Sequence, residues 1–584
     1  MLILGAACST TNSTDAGKAG SVASSASVGG GAGVTTGTGV TAAGRGSGYN
    51  TLVDATAAAA NPMREDRTPA SAWATNDPAV QHLKFQVGPI TIKSGQNNIA
   101  YSGADIPKPA TDGYIVGLSP DLKFEDGRTP GVDDVHLHHA VWVNLGAKDP
   151  TVPTLPERFF AAGEEKTSFR APAGYGYPYK ASDVWLLNYM IHNLWPDTKE
   201  VWVTYDVDFV PADSPAAASL KAARPLWMDV ENGKIYPVFD ALKGQGTDGI
   251  ATYPDDYPNA YAPPTTTTTA APAPEATGRR RRPGGLGGGI GGTATTNLWT
   301  ADRDLTIVNT AAHLHPGGLY SDMRLQRAGA SAAPGSAAAA VAQGDTVRLF
   351  RSEAVYYEPQ GAVSWDLSMT ATPPDWRVAV KKGDVLSINV TYDVRKASWY
   401  ESMGIQVAWY TDGLEGVDPF QQRVDVLGQV SHGHLPENDN HGGDTKSSGR
   451  DAMLPDPTRI TAFAPTSQVD IRDYVYLPGD MQNSETIPEV KAGATLKFVN
   501  FDSPLENGIW HTITSCKSPC NLSTGIAYPL ADADVQFDSG QLGQAGEPTA
   551  DRDDWTIPPS ISPGFYTYFC RVHPFMRGSF KVTE

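Results

Sequence analysis

Val201–Val210 reads VWVTYDVDFV, an apolar/polar alternation with the period of a half-buried strand. Val385–Tyr392 carries the same pattern, and Pro196-Asp197 sits between two such runs as a hairpin turn. The chain holds 59 Gly and 45 Pro among 584 residues, a composition that favours strands, loops and linkers over long helices. The expected fold is therefore all-β. At ~100–200 residues per domain the length implies several cores rather than one.

Low-complexity stretches divide the strand-rich ones. A Ser/Thr/Gly/Ala tether spans residues 9–80, and a first sandwich or barrel follows over 81–261. A Pro/Thr/Gly-rich linker over 262–296 holds the strongest basic run, Arg279–Arg282, in the manner of a flexible solvated segment. The second β unit covers 297–426, a His-bearing connector 427–465 and the third β unit 466–584. The formal net charge is −19, which argues against nucleic acid as a partner, because phosphate binding needs a basic face. No apolar run reaches the ~20 residues of a membrane helix. Residues 1–8 (MLILGAAC) resemble the tail end of a bacterial lipoprotein signal. That resemblance implies an extracytoplasmic protein, periplasmic or extracellular, with Cys8 as a candidate lipid anchor to the membrane.

Cys570-Arg571-Val572-His573-Pro574-Phe575-Met576 lies between two strand patterns, Gly564–Phe569 and Gly578–Val582. Thiolate, imidazole and thioether on one tight loop are ligands of a blue-copper centre once a second histidine joins them, and His511 in GIWHTIT is the candidate. This stretch resembles the cupredoxin family, with an amicyanin-type loop, over about Thr466–Glu584. The resemblance implies a Greek-key sandwich holding type 1 copper on His511, Cys570, His573 and Met576. Cys516 and Cys520 are expected to form a local disulfide. Three His-x-His pairs (His136/His138, His313/His315, His432/His434) superficially suggest a multicopper oxidase. Phe569 and Arg571 flank the cysteine where that family places histidines, which makes it the weaker alternative.

The first unit carries VHLHHAVW, with His136, His138 and His139, and later His192 in NYMIHNL. Imidazoles from two strands make a nitrogen-rich site for copper or zinc. In the second unit His313 and His315 share one strand face by alternation, and Met403 follows in YESMGIQVAWY. Two imidazoles with a thioether favour Cu(I) over zinc. The order of these residues resembles the type II, ascorbate-dependent copper monooxygenases, the group of peptidylglycine α-hydroxylating monooxygenase and dopamine β-monooxygenase. Over Gln81–Val426 the resemblance implies two jelly-roll-like sandwiches facing across a cleft and two further mononuclear coppers. His138, His139 and His192 would hold the electron-transferring copper, and His313, His315 and Met403 the oxygen-binding one. Alternation instead pairs His136 with His138 and sends His139 to the other face, so His136 stays an alternative ligand.

The peptide-hydroxylating members clamp a substrate carboxylate with an arginine, an asparagine and a tyrosine; here those positions are Ala311, Ile405 and Val407. A cleft without a clamp predicts a neutral substrate, apolar near the reacting carbon, unless Arg324 or Arg348 has taken over the role. His432, His434 and His441 lie in a Gly/Pro/Asn/Asp loop and are further candidate ligands. The sequence thus points to an exported copper-dependent monooxygenase acting with O2 and an electron donor, ascorbate-like or a redox protein, through its own fused cupredoxin. The competing class is a non-catalytic copper-binding, electron-transfer protein on the same fold.

Overall fold

The computed structural model describes residues 77–584 except 94–99, 104, 133, 195–196, 232–237, 255–296, 328, 330–341, 344–345, 357–361, 364, 366, 432–459, 504–508, 519, 521–529, 531–534 and 545–551. Cys8, Pro196, the tether up to residue 76, the 262–296 linker with Arg279–Arg282, and His432, His434 and His441 lie outside the described residues. The protein is all-β: the described residues contain no α-helix, and the 3-10 turn Ala217–Ser219 is a short exception to the strands. No helix among them is long and apolar enough to cross a membrane.

In the first sandwich Lys199–Pro211 is an inner strand, paired antiparallel with Gln81–Ile92 and Gly113–Lys123. Val201, Val203, Tyr205, Val207 and Phe209 are buried and Asp206 is exposed, which is the alternation read from the sequence. The facing sheet runs Ala100–Tyr101, Trp185–Asn193, Val135–Lys148, Pro156–Ala162. Trp142 and Trp185 fill the space between the two sheets with Tyr205 and Phe209. Burying such aromatic surface at roughly 25 cal/mol per Å2 makes this layer a major source of the unit's stability.

The second unit is built around Leu305–Leu314, Gly404–Asp412, Gly318–Gln326 and Val385–Asp393. Two strands that precede the linker join it: Arg224–Asp229 pairs with Gly404–Asp412, and Ile250–Tyr253 pairs with Val385–Asp393. The sequence reading grouped 224–253 with the first sandwich. Composition does not change where the chain crosses, so only strand pairing reveals the crossing.

The C-terminal unit is a two-sheet sandwich. One sheet runs Phe463–Pro465, Ile487–Lys491, Arg577–Thr583, Gly564–Phe569, Thr514–Cys516, and the other Val475–Leu477, Gln468–Arg472, Lys497–Asn500, Asp554–Thr556. Parallel and antiparallel neighbours occur in both sheets. Parallel pairs require crossovers between sheets, as in a Greek-key sandwich. The Cys516–Cys520 disulfide expected from the spacing is present, with Cα atoms 5.4 Å apart. This sandwich is docked on the second one. Cys520, Leu530, Val535 and Phe569 belong to the same apolar cluster as Leu386 and Trp399. Arg571 donates to the Ser398 carbonyl at 2.6 Å and to Asp538 at 3.1 Å, with its guanidinium over the Trp399 ring.

Candidate metal centres

The loop after Gly564–Phe569 brings Cys570 Sγ within 3.8 Å of His511 Nδ1 and 3.6 Å of His573 Nδ1, and the two imidazole nitrogens lie 3.1 Å apart. His511 Nε2 donates to Asp502 at 3.0 Å, which leaves Nδ1 as the lone-pair nitrogen facing the sulfur. Backbone N–H groups of Thr512 and His573 donate to the sulfur at 3.3 Å, an arrangement that favours thiolate. With metal bonds of about 2.0 Å to nitrogen and about 2.3 Å to sulfur, the two S···N separations correspond to angles of roughly 115–125°. That is the trigonal His2Cys arrangement of a type 1 copper site. Met576 is buried beside Cys570 and closes the loop, its N–H donating to the His573 carbonyl at 2.8 Å. Burial alone would push the His511 imidazole down, but Asp502 and the Cys570 sulfur carry it above its ordinary value, so the pocket favours a positive charge.

The remaining described candidates are all buried where the first two sandwiches meet. His136 sits opposite His192 in the antiparallel pair, and the register shifts between Leu137 and His139, a bulge at His138. His136 and His138 contact both His192 (ring centroids 4.9 and 4.6 Å) and the Trp365 ring (4.5 and 4.9 Å). His139 goes the other way and lines a pocket with His313 and Met403. The adjacent pair His138/His139 is thus divided between two groups, as alternation indicates.

His313 Nδ1 lies 3.0 Å from Glu165 Oε2, and His315 Nδ1 lies 2.6 Å from the Glu401 carbonyl oxygen. Each partner is an acceptor, so each Nδ1 carries the proton and each Nε2 is a lone pair; those two Nε2 atoms face each other at 3.0 Å. Two lone pairs at that distance repel unless a cation lies between them, and bonds of about 2.0 Å would subtend roughly 97°. The residues fit a metal ion. Glu165 is held by the Gly163 N–H at 2.9 Å, and a Cβ on Gly163 would fall 2.5 Å from the His138 carbonyl and 2.6 Å from His313 Cε1, so glycine is required there. Neither Glu165 nor Glu401 carries a motif that sequence reasoning could recognise.

Burial first, then neighbouring imidazoles, drive His138, His192 and His315 well below the ordinary histidine value. His139 is pushed down to about 3 by burial and by His313. Below pH ~6.5 an unfolded chain protonates such a group while the fold keeps it neutral, so its stabilising contribution is whole above that pH and lost as pH falls toward the folded value. The His139→Asn apoprotein is therefore expected to show a shallower fall of unfolding free energy between pH 6 and 4, by up to about 1.4 kcal/mol per pH unit. Urea titrations at several pH values measure this. Identical slopes in the two proteins would show that His139 titrates normally.

The pocket beside Met403, His139 and His313 is walled by Val141, Leu186, Trp227 and Ile405 and holds about 130 Å3, close to the ~150 Å3 that accommodates a benzene ring. Arg158 also reaches it, 7% exposed, but bonds Asp149 at 2.7 Å and Asp229 at 3.4 Å and lies over the Trp227 ring. Arg324 pairs with Asp322 and Arg348 with Asp425, and neither lines this pocket. A second pocket, bounded by His138, His192, His315, Trp365 and Glu401, is walled on its far side by Arg571 and Val572 of the Cys570 loop.

No protein-family model and no curated protein sequence matches this chain. Among solved structures the chain is similar to a purple cupredoxin from Nitrosopumilus maritimus, at 19% identity over 20% of this chain and 100% of that one, with a TM-score of 0.13. It is also similar to the copper-containing nitrite reductase of Thermus scotoductus SA-01, at 16% identity over 48% of this chain and 55% of the reductase, with a TM-score of 0.14. The PBSX exported protein XepA aligns at 7% identity over 56% of this chain and 86% of its own, with a TM-score of 0.12. At these identities and TM-scores the likeness carries no functional inference.

Proposed function

We propose that the chain is an exported copper oxidoreductase of monooxygenase type, with a blue-copper domain as the entry point for electrons and a buried histidine centre where O2 is used. The observation that carries this reading is the facing pair of lone pairs on His313 and His315, with His313 and Met403 lining one apolar pocket and His315 lining the chamber shared with His138 and His192. Copper bound at these donors supplies one-electron redox chemistry and O2 activation. The chain's own residues do the rest. Glu165 and the Glu401 carbonyl orient the two imidazoles, and Trp227, Ile405 and Val141 give the pocket an apolar wall. Arg571 and Val572 bring the Cys570 loop to the wall shared with His138, His192 and His315.

The substrate this pocket suits is small, neutral and apolar near the reacting carbon. A substrate carboxylate would have to displace Asp149 or Asp229 from Arg158, leaving a buried charge uncompensated at a cost of several kcal/mol. Oxygen uptake by the copper-loaded protein, with ascorbate as reductant and a panel of small aliphatic and aromatic compounds, tests the reading. Substrate-dependent uptake with hydroxylated product is expected, and glycine-extended peptides should be poor ligands. A fully copper-loaded protein that exchanges electrons but consumes no O2 would be the electron-transfer protein instead.

A further inference from the structure

We propose that Glu401 completes a metal site with His138 and His192, a two-imidazole, one-carboxylate centre that pins the first sandwich to the second. This deepens the reading above by replacing His139 in the three-imidazole set. The ligand atoms of His138, His192 and Glu401 all lie within 4.8 Å of one another, and all three residues are buried. The Glu401 carboxylate Oε2 is 3.7 Å from His138 Nε2, while His139 lines the other pocket, with His313 and Met403. His138 Nδ1 is buried and makes no hydrogen bond, so no partner commits that ring to a purely structural role.

The position of Glu401 is itself informative. Its backbone φ is +54°, a left-handed conformation that is strained for a non-glycine residue and persists only where its surroundings demand it. In this conformation the carbonyl receives His315 Nδ1 and the carboxylate faces His138, so one residue serves both histidine groups. Glu401 belongs to the strand Trp399–Ser402, which pairs with Phe239–Ala241 and packs into the core of the second sandwich, whereas His138 and His192 sit on paired strands of the first. An ion held by all three crosslinks the two. A carboxylate in place of a third imidazole hardens the donor set, so the site should take a divalent ion, Cu(II) or Zn(II), in preference to Cu(I).

The test uses the full chain in a Cys570→Ser background, which removes the type 1 signal. After chelator treatment the protein is titrated with Cu(II), with bound metal counted and the spin signal recorded. Glu401→Gln should weaken binding of one Cu(II) by at least about 10–100-fold, while His139→Asn keeps that ion with an unchanged signal. Loss of the ion in His139→Asn with full retention in Glu401→Gln would overturn the proposal yet leave the copper reading standing. Absence of any Cu(II) beyond the Cys570 site in the wild type would defeat both. Should Glu401→Gln fail to fold, judged by the blue absorption in the Cys570-intact protein, pulsed measurements on the Cys570→Ser protein decide. Two coupled imidazoles at this ion support the carboxylate site, and three overturn it.

Discussion

Cys570→Ser is expected to bleach the oxidised protein completely while leaving metal bound elsewhere in the chain. The intense visible absorption of a His2Cys site comes from charge transfer out of a thiolate, and a serine hydroxyl at the same place has no comparable orbital to offer. The sulfur is 3.6 and 3.8 Å from two imidazole nitrogens and receives two backbone N–H bonds, so every element of the pocket converges on that one atom. Cys570 is also the only free cysteine among the described residues, so no other thiolate there could substitute. Absorption spectra and copper counts on the two proteins measure the effect, and an undiminished visible band in the variant would remove Cys570 from the site.

The second large effect is expected at Met403. Its side chain is 2% exposed and packs with Ala161, Met190, Trp227 and Ile405, while its carbonyl accepts from Tyr392 Oη at 2.6 Å. Met403→His keeps a donor at the pocket floor but exchanges a soft thioether for a harder imidazole, which weakens the preference for Cu(I). Oxygen-dependent turnover should fall on the order of 100-fold or more while the copper content holds. Turnover at the wild-type rate would show that Met403 is only packing.

What was legible beforehand follows from the range over which each signal acts. Alternation is local, and Val201–Val210 forms the strand that its pattern announces. The convergence of Cys570 and His573 was equally readable, because they are close in sequence and strand pairing brings only His511 from afar. Cys516 and Cys520 are separated by four positions and pair as their spacing suggests. Glu165 and Glu401 were invisible for the opposite reason. Each becomes relevant only because another unit's strand arrives beside it, and a buried glutamate carries no local mark of that event. The same holds for Arg224–Asp229, whose burial pattern fits a strand but cannot say whose sheet it joins.

The way the Cys570 loop meets the second sandwich bears on how this protein could be cut or recombined. Arg571 stacks on Trp399 and anchors to the Ser398 carbonyl, two and three positions before Glu401, and Val572 forms part of the wall around His138 and His192. The C-terminal unit is therefore a structural panel of the neighbouring chamber as well as the holder of the Cys570 cluster. A chimera that swaps in a foreign blue-copper module would need to reproduce an arginine after its cysteine and a small apolar residue next to it. A truncation ending at residue 465 would leave Leu386, Trp399 and their neighbours without the apolar cover of Leu530, Val535 and Phe569. Such a fragment should precipitate or bind itself, so the two halves are best engineered as one piece.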